Sequence, residues 1–261
     1  MQLRIFVSRF SRVYTACYYI LVVWACTTVA AEKLTVAVAT NFLTTAEELI
    51  EKFEEESDAN VTLVSGSSGQ LFAQAKNGAP YDIFFSADQV KIDAIIDEEL
   101  GYDDTRITYA LGRLCFMLNP KREYEQNARE LFEGLNFNRI VYANPKLAPY
   151  GTAAEEAFEE LEADLSEKNK KVIFADNVGK AYAIVHSGNA DAGMVALSSI
   201  LDDELADGHY YVIPDKYYNP LRQDAIVLNR TENERLAREF VEFVQSDAAK
   251  AIIRSNGYAL D

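Results

Sequence analysis

The chain has 261 residues with 25 Lys and Arg against 41 Asp and Glu, a formal charge of −16, and 49% of its residues are hydrophobic. That balance excludes nucleic acid and anionic lipid as partners, because both repel a strongly acidic surface. With three cysteines and two histidines spread along the sequence, no disulfide framework or Cys/His metal spacing is legible.

Residues 1–31 read as a signal peptide. Arg4, Arg9 and Arg12 form a basic start, an uncharged apolar run follows, and Val29, Ala30 and Ala31 offer small residues for cleavage. The run is short for a membrane span. Cys26 after Val23-Trp24-Ala25 allows a second reading, a lipid-anchored secretory protein, although Trp24 fits that pattern poorly. Cleavage removes three arginines and no acid, leaving 22 basic and 41 acidic side chains, a net charge of −19. Cys17 and Cys26 leave with the signal, and Cys115, inside Leu114-Cys115-Phe116-Met117-Leu118, reads as a buried strand residue.

Strand-like and helix-like segments then alternate, the pattern of parallel α/β architecture. Residues 34–39 predict a buried strand. Ala46, Leu49, Ile50 and Phe53 recur at helical spacing after it, with Thr44 and Glu47 as a capping box. Strands at 61–65 and 82–86 and helices at 70–77 and from 89 complete one βαβαβ unit. A second series has strands at 114–118, 139–143, 172–175 and 193–196, with helices after Thr152 and over 179–187. Residues 224–229 return as a strand, followed by helices at 232–245 and 248–255. The expected fold is α/β with two lobes, each a mainly parallel sheet flanked by helices: lobe I from 32–112 and 222–261, lobe II from 113–221, with a ligand cleft between them.

Four strand-to-helix junctions carry candidate chemistry. They are Thr40-Asn41, Ser67-Ser68-Gly69, Pro149-Tyr150-Gly151-Thr152 and Asn177-Val178-Gly179-Lys180. A helix start presents N–H groups without intrahelical acceptors at the positive end of its dipole, which suits an oxyanion. Each junction also has an ordinary reading: Asn41 as a turn or cap residue, Ser67 and Ser68 as a plain turn, Tyr150 as packing, Val178 as core, Lys180 as a solvated lysine.

The stretch 34–41, the Ser67-Ser68 turn, Gly78-Ala79-Pro80-Tyr81-Asp82-Ile83-Phe84-Phe85-Ser86-Ala87-Asp88 and Asp176-Asn177-Val178 together resemble the periplasmic molybdate-binding proteins. These are the solute receptors of molybdate ABC transporters, with the type II periplasmic-binding fold. The resemblance implies an oxyanion ligand, molybdate or tungstate, no cofactor, no directly coordinated metal cation, a membrane permease as partner, a periplasmic location, a monomer and no enzymatic activity. It implies side-chain roles for Asn41 and Ser68, with Thr40, and backbone or hydroxyl donation near Tyr150 and Val178; Ser67 and Ala87 are further candidates. Many members have Ser at the position of Asn41 and Tyr where this chain has Ala196, a loss that the Tyr150 phenol would offset.

Two rivals remain open on the residues. One is a sulfate, phosphate or ferric-iron receptor of the same fold; the iron receptor alone would make metal ligands of Tyr210-Tyr211 and Tyr217-Tyr218, which otherwise read as aromatic packing. An enzyme acting on a phosphorylated or sulfated metabolite would need a partner for His186 or His209, and Ser67 and Ser68 lie outside any Gly-x-Ser-x-Gly elbow.

Overall fold

The computed structural model describes residues 32–162, 165, 171–201, 203 and 205–261. The expected signal peptide, with Cys17, Trp24 and Cys26, lies outside the described residues.

Two five-stranded sheets organise the chain. The first is built from β1 (Glu32–Ala39), α1 (Leu43–Glu56), β2 (Ala59–Gly66), α2 (Ser68–Lys76), β3 (Ile83–Phe85), α3 (Val90–Asp97) and β4 (Ile107–Gly112). The chain crosses at Arg113 into the second, with β5 (Leu114–Leu118), α4 (Ala128–Glu133), β6 (Arg139–Ala143), α5 (Pro149–Glu160), β7 (Lys171–Ala175), α6 (Val178–His186), β8 (Ala192–Ala196) and β9 (Tyr210–Val212). It then returns through β10 (Leu221–Val227), α7 (Glu234–Val244) and α8 (Asp247–Ser255). The strand orders are β2-β1-β3-β10-β4 and β7-β6-β8-β5-β9.

Both sheets are mixed. β1, β2 and β3 run parallel, as do β6, β7 and β8, while β10 and β5 each run against both neighbours. The expectation of mainly parallel sheets therefore describes the strands that end at the candidate junctions, and the reversed strand in each sheet follows a crossing between lobes.

Burial on both faces explains why these strands read as unbroken apolar runs instead of alternating ones. In β1, Val36 and Val38 face Leu49 and Phe53 of α1, Phe240 of α7 and Ile253 of α8, whereas Ala37 faces Leu71 of α2 and Ile92 of α3. In β5, Phe116 and Leu118 join Phe132 of α4 and Ala154 of α5; Cys115 and Met117 join Ala181 and Val185 of α6. The Cys115 thiol is fully buried, lies 3.3 Å from Tyr211 O, and is pushed well above its ordinary pKa by burial.

One local expectation is corrected. Thr44 and Glu47 form no capping box, because the chain enters α1 directly from a 3-10 turn at Thr40–Phe42 and the N-cap is Phe42, with no side-chain cap. Reciprocal capping occurs at α2, between Ser67 and Gln70, and at α4, between Asn127 and Glu130.

The β10–β4 pairing shifts register between Gln223 and Asp224. The fully buried Asp224 accepts from Arg106 Nε at 2.7 Å, Thr108 Oγ1 at 2.8 Å and Gln89 Nε2 at 3.1 Å. A buried carboxylate is tolerable only with such partners. Asp224→Ala is expected to destabilise the chain by about 3 kcal/mol in urea unfolding, the lower end of the cost of breaking a buried ion pair. Cys115 in the native protein is expected to resist a disulfide reagent at pH 8 and to react at once after denaturation.

Candidate functional site

The candidate junctions all follow the carboxyl ends of parallel strands, the edge at which open α/β sheets hold ligands. Thr40 and Asn41 follow β1, Ser67 and Ser68 follow β2, Ala87 lies just beyond β3, Tyr150 opens α5 after β6, and Val178 opens α6 after β7. The two edges meet. Gly69 N donates to Leu147 O at 2.9 Å, Gly179 N approaches Thr40 Oγ1 at 3.4 Å, and Ser198 Oγ donates to Asn41 O at 2.8 Å.

The hydroxyls on the first edge are oriented by the N–H groups they accept. Ser68 is buried and its Oγ accepts from Ala87 N at 2.9 Å; Thr40 Oγ1 faces Gly179 N. A hydroxyl has one proton and two lone pairs, so an oxygen engaged as an acceptor still has its proton to donate. Ser67 is already occupied: its Oγ accepts from Gln70 N at 3.3 Å as the helix cap. Ala87 contributes through the N–H that holds Ser68.

Asn41 and Tyr150 turn their polar tips elsewhere. Asn41 Nδ2 donates to Gln223 Oε1 at 2.8 Å and to Tyr258 OH at 3.2 Å, so the carboxamide points into the protein behind its loop. The Tyr150 phenol is 1% exposed, accepts from Gln223 Nε2 at 3.4 Å, and is held neutral because burial raises its pKa far above the usual phenol range. The expectation that this phenol replaces the tyrosine absent at Ala196 is therefore corrected: Tyr150 brings its backbone N–H to the edge, at the second position of α5, where helix geometry provides no acceptor. Val178, also buried, stands at the start of α6 behind the Asn177 cap, whose Oδ1 accepts from Lys180 N at 2.8 Å. The Lys180 ammonium pairs with Asp176 at the surface, the solvated reading of that lysine.

The residues of the rival readings are engaged in packing, Tyr211 and Tyr217 both against Phe132. Tyr210 is exposed, Tyr211 packs beneath Arg129, Tyr217 stacks with Lys216, and Tyr218 OH accepts from Leu114 N at 3.1 Å. His186 stacks on Tyr182, and His209 lies edge-on to Tyr124. Among the described residues, no group of three His, Cys, Asp or Glu side chains is placed to hold a metal ion, and no helix is long and apolar enough to cross a membrane.

Gln223, Tyr258, Ser198 and Leu147 belong to the site's frame and escape a reading confined to junctions. The signal for Gln223 is a polar run, Arg222-Gln223-Asp224, ahead of the apolar Ala225-Ile226-Val227 of the same strand. Leu147 acts through its carbonyl, which no side-chain pattern reveals.

Two mixed sheets joined by crossing strands, with helix starts gathered where their carboxyl edges meet, define the type II periplasmic-binding fold of solute receptors. The model of the family described as bacterial extracellular solute-binding protein matches residues 34–259. The molybdate-binding protein ModA of Azotobacter vinelandii is 32% identical over 238 residues, covering 90% of this chain and 93% of the relative. That of Rhodobacter capsulatus is 31% identical, covering 89% and 90%. The solved structure of the Azotobacter vinelandii periplasmic molybdate-binding protein superposes with a TM-score of 0.81 at 34% identity, over 87% of this chain and 99% of that one. The chain belongs to the bacterial extracellular solute-binding proteins and, among them, to the family of these molybdate-binding proteins.

Gly69 supplies a direct test of how closely the edges must approach. A Cβ there would lie 2.8 Å from Leu147 O, a backbone atom of the facing lobe that cannot yield cheaply. Gly69→Ala is expected to hold the lobes apart, seen as a larger radius of gyration in small-angle scattering, with the melting temperature of the ligand-free protein within about 2 °C of the parent, as for a substitution outside the core.

Proposed function

We propose that this chain is an extracytoplasmic receptor that binds molybdate, and tungstate with it, between its lobes and delivers the anion to the permease of an ABC transporter. It acts as a monomer in the periplasm after loss of residues 1–31, with lobe I formed by 32–112 and 222–261 and lobe II by 113–221. The observation that carries the reading is the pair of hydroxyls, Thr40 and Ser68, each held as an acceptor of a backbone N–H and so committed to donating its proton. The family relationship supplies the oxyanion.

The anion site uses Thr40 and Ser68 through their hydroxyls and Asn41, Tyr150 and Val178 through the N–H groups of their helix starts. Asn41 also acts through its side chain, which fixes the loop. Ser67 and Ala87 support the second junction. All the donors are neutral. That suits a molecule whose net charge of −19 repels a dianion at long range, because hydrogen bonds to an ionised acceptor strengthen where water is excluded. At about 1.5–3 kcal/mol each, several such bonds exceed the ~8 kcal/mol needed for micromolar affinity.

Selectivity follows from the same geometry. Hydrogen phosphate carries a proton that requires an acceptor, whereas one lone pair of each hydroxyl, Thr40 and Ser68, is already taken by an N–H group, and Asp176 is turned to Lys180. A fully deprotonated tetrahedral dianion needs donors alone.

A thermal-shift and calorimetry panel of molybdate, tungstate, sulfate, phosphate and ferric citrate tests the reading. Molybdate and tungstate are expected to raise the melting temperature, and phosphate to leave it unchanged; phosphate binding equal to molybdate at neutral pH defeats the proposal. Ser68→Ala is expected to weaken molybdate binding about tenfold, the loss of one charge-assisted hydrogen bond near 1.5 kcal/mol.

A further inference from the structure

Behind the facing edges runs a buried polar chain centred on Gln223. This side chain is 0% exposed and sits in β10 between Arg222 and the buried Asp224. An amide left unsatisfied there would be strongly destabilising, so its partners are informative. Oε1 accepts from Asn41 Nδ2 at 2.8 Å and lies 3.0 Å from Tyr109 OH; Nε2 donates to Tyr150 OH at 3.4 Å. The two ends of one amide thus reach a donor loop of the first sheet and the opening helix turn of the second.

Two features independent of those contacts are built around the link. Gly112, the last residue of β4 before the crossing, lies so close that a Cβ there would sit 2.3 Å from Gln223 Nε2 and 2.4 Å from Tyr150 OH. The register shift of β10 falls directly after Gln223, where Asp224 is engaged by Arg106 and Thr108. Asn41 is held from its other side by Tyr258, whose hydroxyl accepts from Asn41 Nδ2 and donates to Asn41 O, and by Ser198 of the second lobe, which donates to the same carbonyl at 2.8 Å.

We propose that Gln223 is a positioning residue for the anion site: its amide couples the Asn41 loop to the Tyr150 helix, so the donors of the two lobes reach binding geometry together. Gln223 touches no ligand itself. The inference rests on the molybdate reading and adds a residue that acts through others.

The test is calorimetry of molybdate binding to the parent, Gln223→Met and Gln223→Glu at pH 6 and pH 8. Gln223→Met removes all three bonds, to Asn41, Tyr109 and Tyr150, and is expected to raise Kd at least tenfold at either pH. Gln223→Glu carries a switch in its own chemistry. A protonated carboxyl keeps one donor and one acceptor, like the amide, whereas the ionised form only accepts and adds a charge beneath a dianion. Burial favours the protonated form, and so do the carboxylates of the adjacent Asp224 and of Asp88, both of which act on the Tyr109 phenol bonded to Gln223, while Arg106, paired with Asp224, opposes it. The surrounding phenols of Tyr109, Tyr150 and Tyr258 stay neutral because burial raises each of them.

The loss in Gln223→Glu, taken as a ratio to the parent at the same pH, is therefore expected to be at least tenfold at pH 8 and to shrink at least threefold at pH 6. A purely structural role would lower the melting temperature without this pH-dependent recovery. Should Gln223→Met fail to fold, Gly112→Ala, which wedges Gln223 away from Tyr150, is read in its place with the same expectation. Parent binding molybdate while the variants stay within threefold at both pH values overturns the inference alone. A parent that does not bind molybdate overturns the functional reading and the inference with it.

Discussion

A hydroxyl oxygen that already accepts a backbone N–H has its proton left to give. That constraint governs the edge where the two sheets meet: Ser68 is pinned by the N–H of Ala87 and Thr40 faces that of Gly179. The hydroxyls are thereby polarised as donors, and the Lys180 ammonium, next in sequence to Gly179, is spent on Asp176 at the surface. Strand order, capping and burial all serve to bring such groups to one line. Ser67 caps α2 so that Ser68 begins it, and Asn177 caps α6 so that Val178 begins it.

Recognition by dipoles places strict demands on what lies behind them. A charged side chain can tolerate small errors in position because Coulomb attraction varies slowly with distance, but a hydrogen bond weakens steeply once its angle is lost. The amide of Gln223, the phenols of Tyr109, Tyr150 and Tyr258 and the hydroxyl of Ser198 form a second layer whose members bond mainly to each other and to the Asn41 loop. Burial raises the pKa of all three phenols, which keeps that layer uncharged across the ordinary pH range.

Much of the fold was legible in the residues, and the reasons differ by element. β5 and β6 were read to their observed ends because strands buried on both faces are uninterrupted apolar runs. β4 was missed: its burial alternates irregularly against a partner whose register shifts at Gln223. α4 and β9 were too short to develop a period. Thr44 and Glu47 had the right spacing for a cap, yet a preceding 3-10 turn had already started the helix. At the candidate site, the sequence located the junctions but not the direction of the side chains. Asn41 and Tyr150 carry the polar groups that a sequence reader assigns to a ligand, and both turn them inward, a choice set by Gln223, 73 residues from Tyr150 and 182 from Asn41.

Gly69 and Leu147 are bonded through main-chain atoms, N–H to carbonyl. That bond asks nothing of the side chain at 147, whereas a Cβ at 69 would press on the accepting carbonyl. Drift in sequence is thus permitted on one lip of the opening and forbidden on the other, and engineering that aims to widen the entrance for a bulkier guest has its lever in a single methyl group.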